Sequence, residues 1–223
     1  MGSLRPYERS KLVVTYKYVI SQGPVHRTFK EAISSWIVKQ DSFFTVGGQG
    51  LFVSPIYFMS KTATGFIQPH IDLDGELNEQ NWNFIMEFCE GNNFFPVFTG
   101  KRGVQLYGRF LIRVNNYMRL SPSQLRTTVF MKAKVNPESL GQATGLKVDI
   151  PLCTTKQPTP RIGWRVDTKT FMFPILSQDF KDWEFFNMIV NDLLLEERSR
   201  RLKEMINIES YLTNFICPLS FTG

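Results

Sequence analysis

Two hydrophobic periods run through the chain. β-Branched and aromatic residues crowd "KLVVTYKYVI" at residues 11–20, which reads as an early strand. In "RTFKEAISSWIVKQ" the apolar residues Phe29, Ile33, Trp36 and Ile37 recur at helical spacing. "SFFTVGGQGLFVSPIYFM" is strand material broken by a glycine turn, and "GFIQPHIDLDG" reads as a strand whose end carries Asp72 and Asp74. "NEQNWNFIMEFCEG" returns to the helical period, with Trp82, Ile85, Met86 and Cys89 on one side. "NNFFPVFTGKRGVQLYGRFLIRV" reads as strand, glycine turn, strand; "LKVDIPL" and "TFMFPIL" are further short strands. The longest helical signal, one helix or two, is "DWEFFNMIVNDLLLEERSRRLKEMINIESYL". The mixture predicts an α+β (mixed α/β) fold with acidic residues on sheet edges.

Length and composition narrow the class. At 223 residues the chain suits one large domain, or a domain with a small appendage. Its 43% hydrophobic content supports a folded core, and 20 phenylalanines make that core aromatic-rich. No window reaches the roughly 18 apolar residues of a membrane span. Charges stand in "MGSLRPYERSKLVV" where a secretory signal needs an apolar run, so the expected location is intracellular. Cys89, Cys153 and Cys217 are odd in number and far apart, which suits neither a disulfide framework nor a paired-cysteine zinc site. With only His26 and His70 to supply imidazole, a metal would be held by oxygen. The net charge of +6 fits a polyanionic partner without identifying one.

Candidate chemistry concentrates at two places. On a strand, Asp72 and Asp74 point to the same face about 6.5–7 Å apart at Cα. Carboxylates so placed repel unless a cation lies between them or one is protonated. Paired divalent cations bridged by such groups drive phosphoryl and nucleotidyl transfer. Asp-x-Asp-Gly is also a common turn sequence, so the pair needs company. "FPVFTGKRGVQLYGRF" supplies it: two glycines flank Lys101 and Arg102, with Thr99 just before. A glycine turn with exposed N–H groups, cations and a hydroxyl can cradle a triphosphate; on spacing alone, a hairpin with a solvated tip reads as well.

"FTGKRGVQLY" resembles the F-S-G-R-R-G-V-H motif of archaeo-eukaryotic primases, the family of the DNA primase small catalytic subunit. There it follows an acidic pair in an "hhhDhD" strand, which "PHIDLDG" matches in order. A third aspartate is expected on a later strand, and Asp149 in "GLKVDIPL" fits. Twelve positions on, where the family has a basic residue, stands Arg161, opening "RIGWRVDTKTF"; Lys169 and Thr170 match the family's lysine and threonine, and "FMFPI" follows. Upstream, "WIVKQDSF" is similar to the family's "YIRYQSF" and puts Lys39 at a phosphate-binding position. The likeness runs from about residue 27 to residue 180. Gln105 and Asp167 stand where the family has histidines, and the family's cysteine-rich zinc insertion is absent. That resembles a compact, zinc-free member from a virus or mobile element, such as the primases of large insect DNA viruses.

The resemblance implies a primase-type core, a mostly antiparallel mixed sheet flanked by helices, over residues 1–185, with a C-terminal helical segment over 186–223. It implies a DNA-dependent primase or primase-polymerase making short primers on single-stranded DNA from nucleoside triphosphates. Asp72, Asp74 and Asp149 would be catalytic and hold two Mg²⁺ or Mn²⁺ ions, with no zinc. Thr99, Gly100, Lys101, Arg102 and Gln105 would position the triphosphate, with Arg161, Lys169 and Lys39. Arg109, Arg113 and Arg119 are candidates for a template groove, or are ordinary solvated strand residues. An accessory primase subunit is the implied partner; the basic and apolar residues of "EERSRRLKEMINIESYLTNFICPLSF" offer a surface for it, or form an amphipathic helix packed on the chain's own core. A nuclear location follows if the source is a eukaryote or a nuclear-replicating virus. Two other classes stay open: a catalytically weakened or inactive primase-like subunit, favoured by Gln105 and Asp167, and a metal-dependent nuclease, which would not require the Thr99–Gln105 turn.

Overall fold

A computed structural model of the chain describes residues 12–16, 18–20, 25–26, 44–47, 51–52, 55–59, 65–116, 119–150, 161–165, 169–175, 177–206 and 220–222. The predicted helix over "RTFKEAISSWIVKQ", with Lys39 just inside it, lies outside these residues, as do Asp167, Cys153 and Cys217. Among the described residues the fold is α+β, with two sheets and five α-helices.

The larger sheet has the order β11 (Lys147–Asp149), β7 (His70–Asp74), β9 (Val104–Gly108), β8 (Phe94–Phe98), β13 (Thr170–Pro174), β12 (Arg161–Arg165), β4 (Leu51–Phe52), β2 (Tyr18–Ile20), β3 (Val25–His26). Its neighbouring strands pair antiparallel throughout. The smaller has the order β1 (Leu12–Tyr16), β5 (Pro55–Met59), β6 (Gly65–Ile67), β10 (Phe110–Val114), β14 (Ser220–Thr222), antiparallel except where β14 joins β10 in parallel. The helices are α1 (Glu79–Asn92), α2 (Pro122–Ala133), α3 (Pro137–Thr144), α4 (Trp183–Asn187) and α5 (Leu195–Met205).

The two sheets share one bent ribbon. "GFIQPHIDLDG" forms two strands rather than one, because Gln68 and Pro69 carry the chain from β6 in the small sheet to β7 in the large one. Proline has no N–H to give to a ladder, so a break there loses no donor. Gly108 and Arg109 turn the partner strands at the same level, from β9 into β10. The bend is closed by polar contacts: Gln68 Nε2 donates to Gly108 O at 2.7 Å, Gly108 N–H to Pro69 O at 2.9 Å, and Arg109 N–H to Asn93 O at 2.9 Å.

Local chemistry starts α1 where the sequence turns polar. The Asn78 side chain accepts from Asn81 N–H at 3.0 Å while Asn81 Oδ1 accepts from Asn78 N–H at 2.9 Å, a reciprocal cap. Trp82, Ile85, Met86 and Cys89 then fall on the buried side, as their spacing predicts. Trp82 stacks on Phe186 of α4 at 3.9 Å between centroids, and Phe98 of β8 meets Phe186 edge-on at 5.2 Å. Ile71 and Leu73 are fully buried in this core, and strand alternation turns Asp72 and Asp74 to the other face of β7.

The C-terminal segment does not stand apart. Phe186, Ile189, Leu202 and Ile206 are buried in the same hydrophobic cluster as β7 and β8. Its described part is helical to Met205 and ends in strand β14, paired with β10. The basic cluster on α5 is partly self-paired: Arg200 meets Glu197 and Glu204 at 2.7 Å each, and Arg201 meets Glu197 at 3.1 Å. Two helices had no counterpart in the hydrophobic pattern, α2 and α3.

Candidate active site

Antiparallel register assembles the acidic residues. Asp149 on the edge strand β11 is directly opposite Asp72 on β7, and Lys147 is opposite Asp74. Directly opposite residues project to the same face with Cα atoms about 4.5–5.5 Å apart. The three aspartates therefore share one face at one corner of the large sheet. Asp72 is half-buried; Asp74, Lys147 and Asp149 are exposed. On its other flank Asp72 is opposite Gln105 of β9.

The turn between β8 and β9 sits against this corner. Gly100 and Gly103 have φ of 93° and 88°, which side chains rarely adopt. A Cβ on Gly103 would lie 2.1 Å from Leu73 O and 3.1 Å from Asp74 Cα, so this turn rests on the backbone of the acidic strand. A Cβ on Gly100 would lie 2.4 Å from Phe171 O and 2.8 Å from Thr170 Cβ, so its other side rests on the start of β13. Lys101 and Arg102 are exposed at the tip. Lys169, exposed with φ of 52°, directly precedes Thr170 and so comes to the same end of the sheet.

Three of the expected triphosphate ligands stand differently. Thr99 Oγ1 donates within the turn, to Arg102 O at 2.8 Å and Gly103 O at 3.1 Å, so its one proton closes the loop. Gln105 is engaged along the sheet: its Nε2 donates to Asp72 Oδ2 at 3.3 Å, and its Oε1 accepts from Tyr107 O–H at 2.9 Å. Arg161 lies on β12, four strands from β7, roughly 19 Å away at about 4.8 Å per strand. Of the groove candidates, Arg109 is exposed over the Phe95 ring at 5.9 Å, Arg119 is exposed and Arg113 half-buried.

His70 completes the face. It is opposite Tyr107 and stacks on it at 4.3 Å with rings 13° apart. It is 2% exposed, and neither ring nitrogen has a hydrogen-bond partner among the described residues. Burial, with no polar partner to favour the charged form, holds its pKa down at about 3. That depressed value makes acid costly. Between the unfolded value near 6.5 and about 3, the unfolded chain binds a proton that the native chain refuses, so stability falls as pH is lowered through this window. Above it the imidazole is neutral in both states and contributes no pH dependence. His70→Phe keeps the stacked ring and removes the proton; its urea-unfolding free energy should fall less than the wild type's between pH 7 and pH 4. Equal slopes would show that His70 is not buried neutral.

The donor set can be tested against a divalent cation. Among the described residues no three Asp, Glu, His or Cys side chains are gathered closely enough to hold an ion as they stand. The three carboxylates nevertheless share one face within two cross-strand spacings, offer only oxygen, and at Asp74 and Asp149 are exposed. They fit Mg²⁺ or Mn²⁺ by donor type and by backbone placement. The sequence reading did not find His70, Lys147 or Tyr107. The alternation H-x-D-x-D carried the signal for His70, which it puts on the face of Asp72 and Asp74; Q-x-Y puts Tyr107 on the face of Gln105, and the strand order brings that face beside the acidic one.

Comparison of the chain with protein-family models, with curated proteins and with solved structures finds no match.

Proposed function

We propose that the chain is a primase or primase-polymerase of the archaeo-eukaryotic type, joining nucleotides on a single-stranded DNA template by two-metal nucleotidyl transfer. One observation carries the reading. Asp149, selected by its likeness to a motif far along the chain from the acidic pair, lies directly opposite Asp72. Like charges placed opposite one another on a sheet cost about 0.2–1 kcal/mol, and a cation held between them would remove that cost.

Asp72, Asp74 and Asp149 would hold Mg²⁺ or Mn²⁺. Such cations, when bound, supply Lewis-acid activation of a primer 3′-hydroxyl and neutralise charge on the leaving pyrophosphate. Lys101 and Arg102 bind the triphosphate from the turn beside Asp74, with Lys169 from the start of β13, where their charges oppose the charge developing in the transition state. Gly100 and Gly103 hold that turn against β13 and β7, and Thr99 closes it. Arg161 and Lys39 are assigned to phosphate by the motif likeness alone. The template would be held through its backbone by cations such as Arg109, Arg113 and Arg119. An accessory subunit belongs to the same reading. Among the described residues no helix is long and apolar enough to cross a membrane.

The second reading, an inactive primase-like subunit that binds nucleic acid or a replication partner, is favoured by Gln105 and Asp167 replacing histidines. Incorporation of labelled nucleotides on single-stranded DNA with Mn²⁺ or Mg²⁺ separates the two. Wild-type product that disappears in Asp72→Ala plus Asp74→Ala supports the enzyme. Template binding without product supports the inactive subunit, and template degradation a nuclease. If the enzyme reading holds, Lys101→Ala plus Arg102→Ala should raise the nucleotide KM about ten- to a hundredfold, the worth of one or two charge-assisted hydrogen bonds. An unchanged KM would remove the turn from the nucleotide site.

A further inference from the structure

We infer that Gln105 is a positioning residue for Asp72, locked by Tyr107, rather than a ligand of the nucleotide. The inference rests on Asp72 being a cation ligand. A primary amide has two ends of nearly equal shape, and its partners decide which way round it sits. Tyr107 is 2% exposed, so its O–H must find an acceptor, and Gln105 Oε1 lies 2.9 Å from it. That bond directs Nε2 at Asp72 Oδ2, 3.3 Å away. With the amide reversed, an oxygen would face the carboxylate oxygen and the tyrosine hydroxyl would lose its acceptor.

Register fixes the rest of the relay. Tyr107 stands opposite both His70 and Phe95, and Gln105 opposite both Asp72 and Val97. The phenol ring is clamped between stacked partners, at 4.3 Å from His70 and 5.8 Å from Phe95. Gln105, two residues along the same face, has its Oε1 and one N–H already engaged. In this chain the glutamine therefore serves the carboxylate, and Lys101, Arg102 and Lys169 are left to serve the phosphates.

The test uses the full chain and Mn²⁺ binding followed by electron paramagnetic resonance without nucleotide, beside nucleotide KM at saturating Mn²⁺. Partners that orient a metal ligand are worth about ten- to a hundredfold in affinity. Gln105→Ala is expected to weaken Mn²⁺ binding about tenfold, and Tyr107→Phe severalfold in the same direction, with KM within about twofold of wild type. Unchanged Mn²⁺ affinity with a raised KM would overturn the assignment and make Gln105 a triphosphate ligand. Should the wild type bind no Mn²⁺, the cation reading of Asp72 fails, and the relay is judged on crystal structures of wild type and Tyr107→Phe. A changed Asp72 rotamer in the variant supports the relay; an identical carboxylate position overturns it.

Discussion

Asp149→Asn is expected to lower metal-dependent nucleotide incorporation by about a thousandfold or more while leaving the metal-free protein as stable as wild type, or more so. The first half follows from the proposed chemistry. A cation at this corner would supply several kcal/mol of transition-state stabilisation, and about 4 kcal/mol corresponds to a thousandfold in rate. The second half follows from register alone. Asp149 and Asp72 are opposite one another, and like charges directly opposite on an antiparallel pair cost about 0.2–1 kcal/mol. Asparagine keeps the shape and removes the repulsion. Melting in EDTA should therefore show no loss of stability. Addition of Mn²⁺ should raise the wild-type Tm by ligand linkage and leave the variant's Tm almost unmoved. Asp192→Asn, an exposed aspartate beyond α4, serves as the control and should behave as wild type in every assay. A structural role for Asp149 predicts the reverse pattern, lower stability with activity retained per folded molecule. Full incorporation by Asp149→Asn would remove this residue from the site.

The parts of this architecture that the sequence disclosed are those written in local periods. Trp82, Ile85, Met86 and Cys89 announce α1 because a helix must bury one side, and Asp72 and Asp74 share a face because a strand alternates. Helices α2 and α3 escaped the periodic reading because they carry few large apolar residues to bury: Leu125, Val129 and Phe130 in one, Leu140 in the other. Their caps were legible. Ser121 with Gln124 is a capping box followed by Pro122 at the first turn, and Asn136 caps α3 just before Pro137. The bend at Gln68–Pro69 was likewise marked by its proline. Cross-strand pairing was not legible, because spacing along the chain says nothing about which strands become neighbours. Asp149 reached the candidate site through a motif likeness. The Tyr107–Gln105–Asp72 chain and the pairing of Asp74 with Lys147 could be read only once the strand order was known.

Gly103→Ala should destabilise the fold by about 3 kcal/mol or more and disable the site at temperatures where the protein is still folded. Two costs add. The native φ of 88° is one that side chains avoid, a strain of about 1–3 kcal/mol. The new Cβ would also sit 2.1 Å from Leu73 O, a backbone atom that no rotamer change can move away. Relief requires β7 and β9 to separate where Leu73 faces Val104, next to Asp74. The same displacement carries Lys101 and Arg102 off the acidic corner, so nucleotide KM should rise along with the loss of Tm. The chain holds its own control for the chemical change. Gly91, in the last turn of α1, has ordinary helical backbone and nothing within 4 Å of an added Cβ. Gly91→Ala should therefore stabilise by up to about 1 kcal/mol, the helix-propensity difference. One added methyl group thus has opposite signs at two positions, decided by φ and by what the methyl meets. Equal stability of the two variants in urea unfolding would mean that the turn does not rest on β7, and the acidic corner would lose its phosphate-binding neighbour.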